Sequence, residues 1–359
     1  MMQTFWSTMA KRATPYVPGE QLNDQNVLKL NTNENPYPPS PSVIQAIRDA
    51  ANVDLRRYPS PDLEQLREII GKTYDLTKDQ VFIGNGSDEV LAFSFMAFFE
   101  PGKTIRFPEI TYSFYPVYAQ LFDIPYETIP MKADFTLDIE RFYHSEGGVI
   151  FPNPNAPTSI AIGIDDIRKI LEHNPTRIVI VDEAYVDFST QSAVSLINKY
   201  PNLLIVQTTS KSRSLAGLRV GYALGNEGLI QALIRIKNSI NSYTLDRLAI
   251  AGAIASFQDW KSTKENINKI IQTRTWVSEK MRDYGFFVLP SETNFIFVTH
   301  PDFSAKQLYK LLKQRHVLVR YFNQPPINQY LRISIGTDKE MEQFFNCLSE
   351  VMASCHSLS

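Results

Sequence analysis

Three side chains that can bind a phosphate and attack a carbonyl follow one apolar run of the sequence. Ser210 and Lys211 come just after the run 202–207, and Arg219 stands eight residues beyond the lysine. A hydroxyl, an amine and a guanidinium on consecutive sheet edges suit a phosphate beside a reactive carbonyl. Because most lysines are solvated, the same residues also fit a polar loop that hydrogen-bonds itself. The assignment therefore depends on which other groups converge on Lys211.

A carboxylate and a phenol follow a second apolar run. Asp182 comes directly after the run 177–181, and Tyr185 stands three residues later. A carboxylate at a strand end can pair with a protonated pyridine nitrogen and keep that ring an electron sink, while the phenol can reach a ring hydroxyl. The alternative is an acidic residue that caps a following helix.

A glycine-bearing turn at 84–89 lies between a predicted strand and an apolar helix. Glycine lets the backbone approach a ligand, and the N–H groups of a first helical turn bind phosphate. Ser87 or Asp88 is also an ordinary N-cap at such a position. Tyr112, after the run 103–107, can offer a flat face on which an aromatic cofactor stacks.

The elements that must position these residues are short apolar strands alternating with amphipathic helices. This alternation predicts a mostly parallel α/β sheet, which binds ligands at the carboxyl ends of its strands. The predicted strands are 81–84, 103–107, 148–151, 177–181, 202–207 and 218–224, and the predicted covering helices are 163–172 and 226–238.

Both ends of the chain depart from this alternation. The segment 30–41 is rich in Asn and Pro and predicts an extended arm, whereas 245–282 is almost uninterruptedly helical. We therefore predict three parts. They are an N-terminal arm with part of a small domain (1–41), a large ligand-binding domain (42–250), and a connecting helix with a small α+β domain (251–359).

Composition excludes several classes of protein. The 359 residues are 43% apolar, and 36 basic residues nearly balance 38 acidic ones, which gives no support to nucleic-acid or anionic-membrane binding. We find no signal peptide and no run near the roughly 20 apolar residues of a membrane span, so we expect a cytoplasmic protein. Two cysteines near the end, Cys347 and Cys355, and five scattered histidines favour neither a disulfide framework nor a metal site.

Taken together, these motifs resemble the signature of the fold type I pyridoxal-phosphate-dependent aminotransferases. The resemblance covers nearly the whole chain, and its motifs are Gly86-Ser87-Asp88, Asp182-x-x-Tyr185, Ser210-Lys211 and Arg219. Further segments are similar to the histidinol-phosphate aminotransferases, namely Leu30 to Pro36, Arg57 to Pro59, Ser291 to Phe295 and Tyr330 to Thr337. That family converts imidazole-acetol phosphate and glutamate to histidinol phosphate and 2-oxoglutarate in histidine biosynthesis. The implied fold has a mostly parallel, seven-stranded-type sheet and a smaller α+β domain.

The resemblance implies that pyridoxal 5'-phosphate is the cofactor and gives each matching residue a role. Lys211 would carry the cofactor as a Schiff base and shuttle the proton of the substrate. Asp182 would pair with the pyridine nitrogen and Tyr185 with the ring oxygen, so these three residues form the catalytic set. The other implied cofactor contacts are Ser87, Asp88, Ser210 and Arg219 on the phosphate and Tyr112 stacked on the ring.

Substrate and partner contacts are implied in the same way. Tyr58 would reach the cofactor phosphate of a neighbouring subunit, which implies a homodimer with shared active sites. Arg332 would grip the glutamate carboxylate with a bidentate pair. The remaining candidates are Asn35 and Asn294 on the substrate side, and Tyr16 and Arg320 on the substrate phosphate.

The chain departs from the family pattern at one position. Many members have Asn-Asn-Pro-Thr-Gly where this chain has Asn155, Ala156, Pro157, Thr158 and Ser159. The asparagine that usually contacts the ring oxygen is thus alanine, and either Asn155 substitutes as a cofactor ligand or Tyr185 holds the oxygen alone. One hydrogen bond is lost, about 1 kcal/mol, which is too little to abolish cofactor binding.

Three other functions fit parts of the pattern. An aromatic-amino-acid aminotransferase would use the same residues, and a threonine-phosphate decarboxylase would keep Lys211, Asp182 and Arg219 but release carbon dioxide without needing glutamate. A non-catalytic protein that binds the cofactor is the third, but regulators of that kind normally carry a DNA-binding segment. We expect none before Leu30.

Overall fold

A computed structural model describes residues 5–16, 19–20, 26–189 and 191–356. Its strands are β1 (Leu28–Lys29), β2 (Val81–Asn85), β3 (Ile105–Pro108), β4 (Tyr126–Ile129), β5 (Gly148–Pro152), β6 (Val179–Asp182), β7 (Leu203–Thr208), β8 (Val220–Gly225), β9 (Phe287–Val288), β10 (Phe295–Thr299), β11 (Val317–Leu318), β12 (Arg320–Tyr321) and β13 (Leu331–Ser334).

The α-helices are α1 (Thr8–Arg12), α2 (Pro41–Ala50), α3 (Glu64–Thr73), α4 (Gly86–Phe98), α5 (Phe114–Phe122), α6 (Ile164–Glu172), α7 (Glu227–Ile240), α8 (Arg247–Gln258), α9 (Trp260–Asp283), α10 (Ala305–Gln314) and α11 (Asp338–His356). No helix in the described part of the chain has the length and apolar character that crossing a membrane requires.

A seven-stranded sheet with the order β2-β8-β7-β6-β5-β3-β4 forms the centre of the fold. Its strands pair in parallel from β7 to β4, whereas β8 runs antiparallel to both β7 and β2. Every residue of β5 to β8 is buried, because helices cover both faces of the sheet. The predicted α/β class with a mostly parallel sheet is confirmed.

Two elements differ from the sequence prediction for identifiable reasons. Strand β4 was not predicted because it lacks the apolar run of a central strand. It lies at the edge of the sheet and exposes Tyr126 and Thr128. The predicted continuous helix 245–282 is two helices, α8 and α9. They are separated at Asp259, whose carboxylate accepts a hydrogen bond from the Ser262 N–H and so caps the second helix.

A second, four-stranded antiparallel sheet has the order β12-β13-β10-β9. Apolar residues of α9, α10 and α11 pack on it in one core, which also receives Leu30 from the arm. Strand β1 pairs in parallel with β11, and residues 30–40 then cross to the central sheet without forming a helix or strand. This path brings the arm between the two sheets.

Candidate active site

The predicted cofactor residues converge on one cavity at the carboxyl ends of β6 and β7. The cavity has a volume of about 180 Å³ and is lined by Ser87, Asp88, Tyr112, Asp182, Tyr185, Ser210, Lys211 and Arg219, among others. The position of these residues after parallel strands explains part of this convergence, because the carboxyl ends of parallel strands lie at the same edge of a sheet. Helix α4 brings its N-terminus to the same edge.

Asp182 is a buried carboxylate without a cationic partner among the described residues. It ends β6, is 4% exposed, and accepts hydrogen bonds from the Tyr115 hydroxyl (3.0 Å) and the Ala184 N–H (3.2 Å). Burial raises the pKa of Asp182 to about 7, against the lowering effect of these two donors. A protonated pyridine nitrogen would supply the missing positive charge, so this residue fits the predicted cofactor.

The opposite end of the cavity is shaped for a phosphate. A Cβ on Gly86, whose φ is +77°, would lie 2.4 Å from Nη2 of Arg219, and a Cβ on Gly221 would lie 2.3 Å from the Ser87 nitrogen. Only glycine allows the Arg219 side chain and the β8 backbone to come so close to the first turn of α4. The N–H groups of that turn have no partner within the helix and can bind an anion. Ser210 adds a hydroxyl, which accepts from Thr208 Oγ1 at 2.9 Å. This cradle fits an anion.

The side chain of Asp88 makes contacts that the prediction of a phosphate ligand did not include. Its carboxylate accepts hydrogen bonds from the Tyr112 hydroxyl (2.6 Å) and from Nη2 of Arg219 (3.0 Å). A carboxylate repels a phosphate, so the side chain does not suit direct phosphate binding. Asp88 instead fixes the two side chains predicted to stack on the ring and to bind the phosphate. Burial and the neighbouring Asp88 both raise the pKa of Tyr112.

Lys211 lies between the cradle and the arm. Its Nζ donates a hydrogen bond to the Thr32 carbonyl at 3.2 Å and lies 5.8 Å from the centre of the Tyr185 ring. No ion pair joins this amine to a carboxylate in the described ranges. The lysine is therefore held by a neutral acceptor and is available to a reacting carbonyl.

A second cavity, of about 230 Å³, continues from the first past Lys211. It is lined by the predicted phosphate ligands Tyr16 and Arg320 and by Arg332. The two arginines are partners across the β12–β13 ladder, and neither forms an ion pair within the described residues. Arg332 donates to the Asn31 carbonyl (2.8 Å), and burial lowers its pKa. Two guanidinium groups without carboxylates make this cavity receptive to anions.

The two asparagines predicted on the substrate side hold the protein backbone. The Asn35 side-chain nitrogen donates to the Lys211 and Ser212 carbonyls, at 2.9 and 3.1 Å. The Asn294 side-chain nitrogen donates to the Asn33 carbonyl at 2.9 Å. Neither residue lines the two cavities. Because carboxamides satisfy buried carbonyls well, both asparagines fasten the arm through their nitrogens, and their contact with a substrate stays a prediction.

Asn155, the predicted substitute for the missing ring-oxygen ligand, also lies outside both cavities. Its side-chain nitrogen donates to the Ile110 carbonyl (3.0 Å) and to Thr158 Oγ1 (2.8 Å). Ala156 lines both cavities in its place and offers no donor from its side chain. Of the two options left open by the sequence, the contacts favour Tyr185 alone.

Tyr58 lies away from the active site of its own chain. Its side chain is 78% exposed and stacks on Tyr243, with 4.6 Å between ring centres. It lines neither active-site cavity. Its predicted reach into a neighbouring subunit stays a prediction.

Sequence reasoning missed three residues that touch the predicted catalytic groups. Tyr115 bonds to Asp182, Thr32 accepts from Lys211, and Asn33 donates from its side chain to the Tyr185 hydroxyl at 2.9 Å. Tyr115 follows Tyr112 by three residues, a spacing that would have placed both on one side of a helical turn. Thr32 and Asn33 lie in the segment 30–36 that the sequence already singled out, but their partners are far away along the chain and no local pattern identifies them.

Comparisons with known proteins agree with this geometry. The sequence profile of the family "Aminotransferase class I and II" matches residues 25–348. A histidinol-phosphate aminotransferase of Oceanobacillus iheyensis is 57% identical over 98% of this chain and 99% of its own. One from Clostridium acetobutylicum is 54% identical over 98% of this chain and 100% of its own. The crystal structure of the Sinorhizobium meliloti enzyme in complex with pyridoxal-5'-phosphate superposes with a TM-score of 0.89 at 26% identity, covering 98% of both chains.

Proposed function

Since this chain belongs to the class I and II aminotransferases, and among them to the histidinol-phosphate aminotransferases, we propose that it transfers an amino group between L-histidinol phosphate and 2-oxoglutarate. The products are imidazole-acetol phosphate and L-glutamate, and the reaction belongs to histidine biosynthesis. The observation that carries the proposal is the position of Lys211. It lies between a cradle shaped for a cofactor and a cavity that holds two arginines without an ion-pair partner among the described residues.

The residues of the first cavity fit pyridoxal 5'-phosphate. When bound, the cofactor supplies a ring that accepts the electron pair left at a substrate carbon that loses its proton. Asp182 would hold the ring nitrogen in its protonated form, and Tyr185 would donate to the ring oxygen. The groups that would hold the rest of the cofactor are Ser87, Ser210, Arg219 and the N–H groups of the first turn of α4 on the phosphate, with Tyr112 on the ring.

Lys211 would carry out the proton transfer. An ordinary lysine is protonated near neutral pH, but covalent attachment to the cofactor keeps this amine beside the substrate and out of bulk water. With the cofactor bound, Nζ would be placed to take the proton from the reacting carbon of the substrate and to pass it to the neighbouring carbon, because the lysine lines both cavities. The arm closes this space, since the Thr32 carbonyl contacts Nζ directly.

The second cavity would select the substrates by charge. Glutamate carries a side-chain carboxylate and histidinol phosphate carries a phosphate, so one site must accept two different anions. Arg332 would bind the glutamate carboxylate, and Arg320 with Tyr16 would bind the phosphate. The guanidinium of Arg332 lies 5.2 Å from the centre of the Phe295 ring, which restricts its orientation.

The decisive experiment mixes purified protein, loaded with cofactor, with histidinol phosphate and 2-oxoglutarate and measures glutamate. Phenylalanine and tyrosine serve as competing amino donors. Glutamate formed mainly from histidinol phosphate supports the proposal, whereas a preference for the aromatic donors contradicts it. Carbon dioxide released from threonine phosphate in the absence of 2-oxoglutarate would indicate the decarboxylase.

We further propose that the enzyme is a homodimer with shared active sites, located in the cytoplasm. The exposed Tyr58 supports the shared site, because a residue that lies outside its own cavity is free to enter another. Sedimentation with and without cofactor tests the assembly. The division at residues 41 and 250 is also a proposal, supported by the strands of the central sheet, which all fall within 81–225.

A further inference from the structure

Asn33 is held in one orientation by Ser334. Its φ is +57°, an uncommon value outside glycine, and its backbone N–H donates to the Ser334 hydroxyl at 2.9 Å. The same hydroxyl donates its only proton to Asn33 Oδ1, also at 2.9 Å. The carboxamide oxygen of Asn33 therefore faces Ser334, and the NH₂ group must face the other way.

The NH₂ group of Asn33 faces the hydroxyl of Tyr185. Nδ2 lies 2.9 Å from Oη, and an amide nitrogen only donates. The phenol oxygen of Tyr185 is thus the acceptor, and its own proton must point elsewhere. Among the described residues nothing accepts this proton, although Tyr185 lines the cavity that also holds Lys211 and Asp182. The polarity of the hydrogen bond leaves a donor directed at the ligand space.

The position of Ala156 makes this donor important. Ala156 lines the same cavity but has no polar group in its side chain. The side-chain nitrogen of the nearby Asn155 already donates to the Ile110 carbonyl and to the Thr158 hydroxyl. We propose that Asn33 is a positioning residue that presents the hydroxyl proton of Tyr185 to the ring oxygen of the cofactor. It thereby serves in place of an amide donor at position 156. This inference rests on the proposed cofactor and function.

Asn33→Asp tests the polarity of the bond while preserving its shape. An aspartate oxygen would accept the proton of Tyr185 and draw it away from the cavity. Two quantities report on this change, the cofactor dissociation constant and the pH midpoint at which the lysine-bound cofactor changes its absorbance. Because a donor stabilises the ionised ring oxygen, we expect the midpoint to rise and cofactor binding to weaken about fivefold, the effect of one hydrogen bond.

Two further variants separate positioning from a structural effect. Ala156→Asn adds an amide donor to the cavity wall, and the double variant with Asn33→Asp should recover most of the midpoint and affinity. In a Tyr185→Phe background there is no proton to direct, so only the added charge of Asn33→Asp acts there and the rise in the midpoint should be clearly smaller. An arm that was merely loosened would show neither the rescue nor the dependence on Tyr185.

The outcomes distinguish this inference from the proposed function. If the unaltered chain binds no cofactor, the proposed function fails. If it binds the cofactor normally and Asn33→Asp changes neither quantity, or changes the midpoint equally without the Tyr185 hydroxyl, the role of Asn33 is overturned. If Asn33→Asp does not fold, Ser334→Ala is the alternative variant, because it removes the hydroxyl proton that orients the Asn33 amide. It must raise the midpoint, by less than is expected for Asn33→Asp. An unchanged midpoint there also overturns the inference.

Discussion

The hydroxyl of Tyr115 donates a 3.0 Å hydrogen bond to the carboxylate of Asp182 beneath the active-site cavity. Together with the Ala184 N–H it gives the carboxylate two neutral donors, but no cation among the described residues. Burial therefore prevails over these donors and raises the pKa of Asp182 to about 7. We propose that a positively charged ring, when bound, supplies the missing partner charge. Without the ring, the buried carboxylate lowers the free energy of unfolding at neutral pH, and that loss is measurable.

The cofactor-free protein should lose stability as the pH rises from about 4 to about 7. Asp182 titrates at 3.8 when unfolded and at about 7 when folded, so over this interval the folded state holds the extra proton and each rise in pH favours unfolding. The free energy of unfolding should fall by on the order of 4 kcal/mol for a pKa shift of this size. Urea unfolding across this range measures it, and Asp182→Asn should flatten the slope.

Glu183 provides the comparison for this measurement. Burial raises its pKa to about 7 as well, but its carboxylate accepts from the Ala193 N–H, Ser192 and Gln207 and does not line the cavity. Adding the cofactor should therefore remove the part of the pH dependence of the unfolding free energy that is due to Asp182. The part that is due to Glu183 should remain. A slope that cofactor does not change would contradict the pairing of Asp182 with the ring.

Lys211→Ala should abolish the absorbance band of the lysine-bound cofactor and essentially all turnover. The reason is chemical, since no other lysine lines either cavity within the described chain. Lys199 is a matched control, because its amine lies 5.2 Å from the Tyr200 ring much as Lys211 lies near that of Tyr185. Lys199→Ala should keep both the spectrum and the rate. Turnover retained by purified Lys211→Ala protein would remove the assignment.

Much of the fold could be predicted because central strands are apolar throughout and covering helices are amphipathic. The run before Asp182 and the run before Lys211 are such strands, and their order along the chain places both residues at one sheet edge. The exposed edge strand β4 and the capping Asp259 carry weaker signals. They depend on surroundings that a local pattern does not contain.

The site was predictable only as far as its residues follow strands. Asp182 ends β6 and Lys211 follows β7, whereas Arg219 precedes β8, which runs antiparallel to β7 and so begins at the same edge of the sheet. The backbone contacts of Asn35 and Asn294 could not be predicted, because a carboxamide serves a substrate or a backbone carbonyl equally well and only the folded arm decides which is near. Asn33 could not be found at all, since its orientation depends on a serine 301 positions away.

Asp88→Asn should weaken cofactor binding about tenfold although it removes a negative charge from beside the phosphate site. Tyr112 and Arg219 share the Asp88 carboxylate as their acceptor and would lose their fixed orientation. Cofactor titration measures the dissociation constant. Asp165→Asn, which breaks a surface pair with Arg168, is the control and should change nothing. Tighter binding by Asp88→Asn would show that repulsion of the phosphate outweighs orientation.

Arg320→Ala should raise the KM for histidinol phosphate about tenfold or more and leave the KM for glutamate nearly unchanged. Arg332→Ala should have its larger effect on glutamate. The physical reason is that the two guanidinium groups are partners across the β12–β13 ladder yet have different surroundings. Both lie near the Phe322 ring, Arg320 at 5.4 Å and Arg332 at 5.6 Å from its centre. Arg332 is in addition tied to the Asn31 carbonyl, whereas Arg320 and Tyr16 also line a further cavity that Arg332 does not reach.

The phosphate itself can be removed from the Arg320 experiment. Histidinol lacks the phosphate, so Arg320→Ala and the unaltered enzyme should act on it with similar kcat/KM, and the difference between the two substrates should shrink in the variant. Arg315→Ala serves as the control, because Arg315 lies outside both cavities, 3.9 Å from Glu350. If Arg320→Ala lowered kcat/KM equally for histidinol and for histidinol phosphate, Arg320 would support the wall of the cavity and would not bind the phosphate. The selection of the phosphorylated substrate would then have to come from Arg332 or from the second subunit of the proposed dimer.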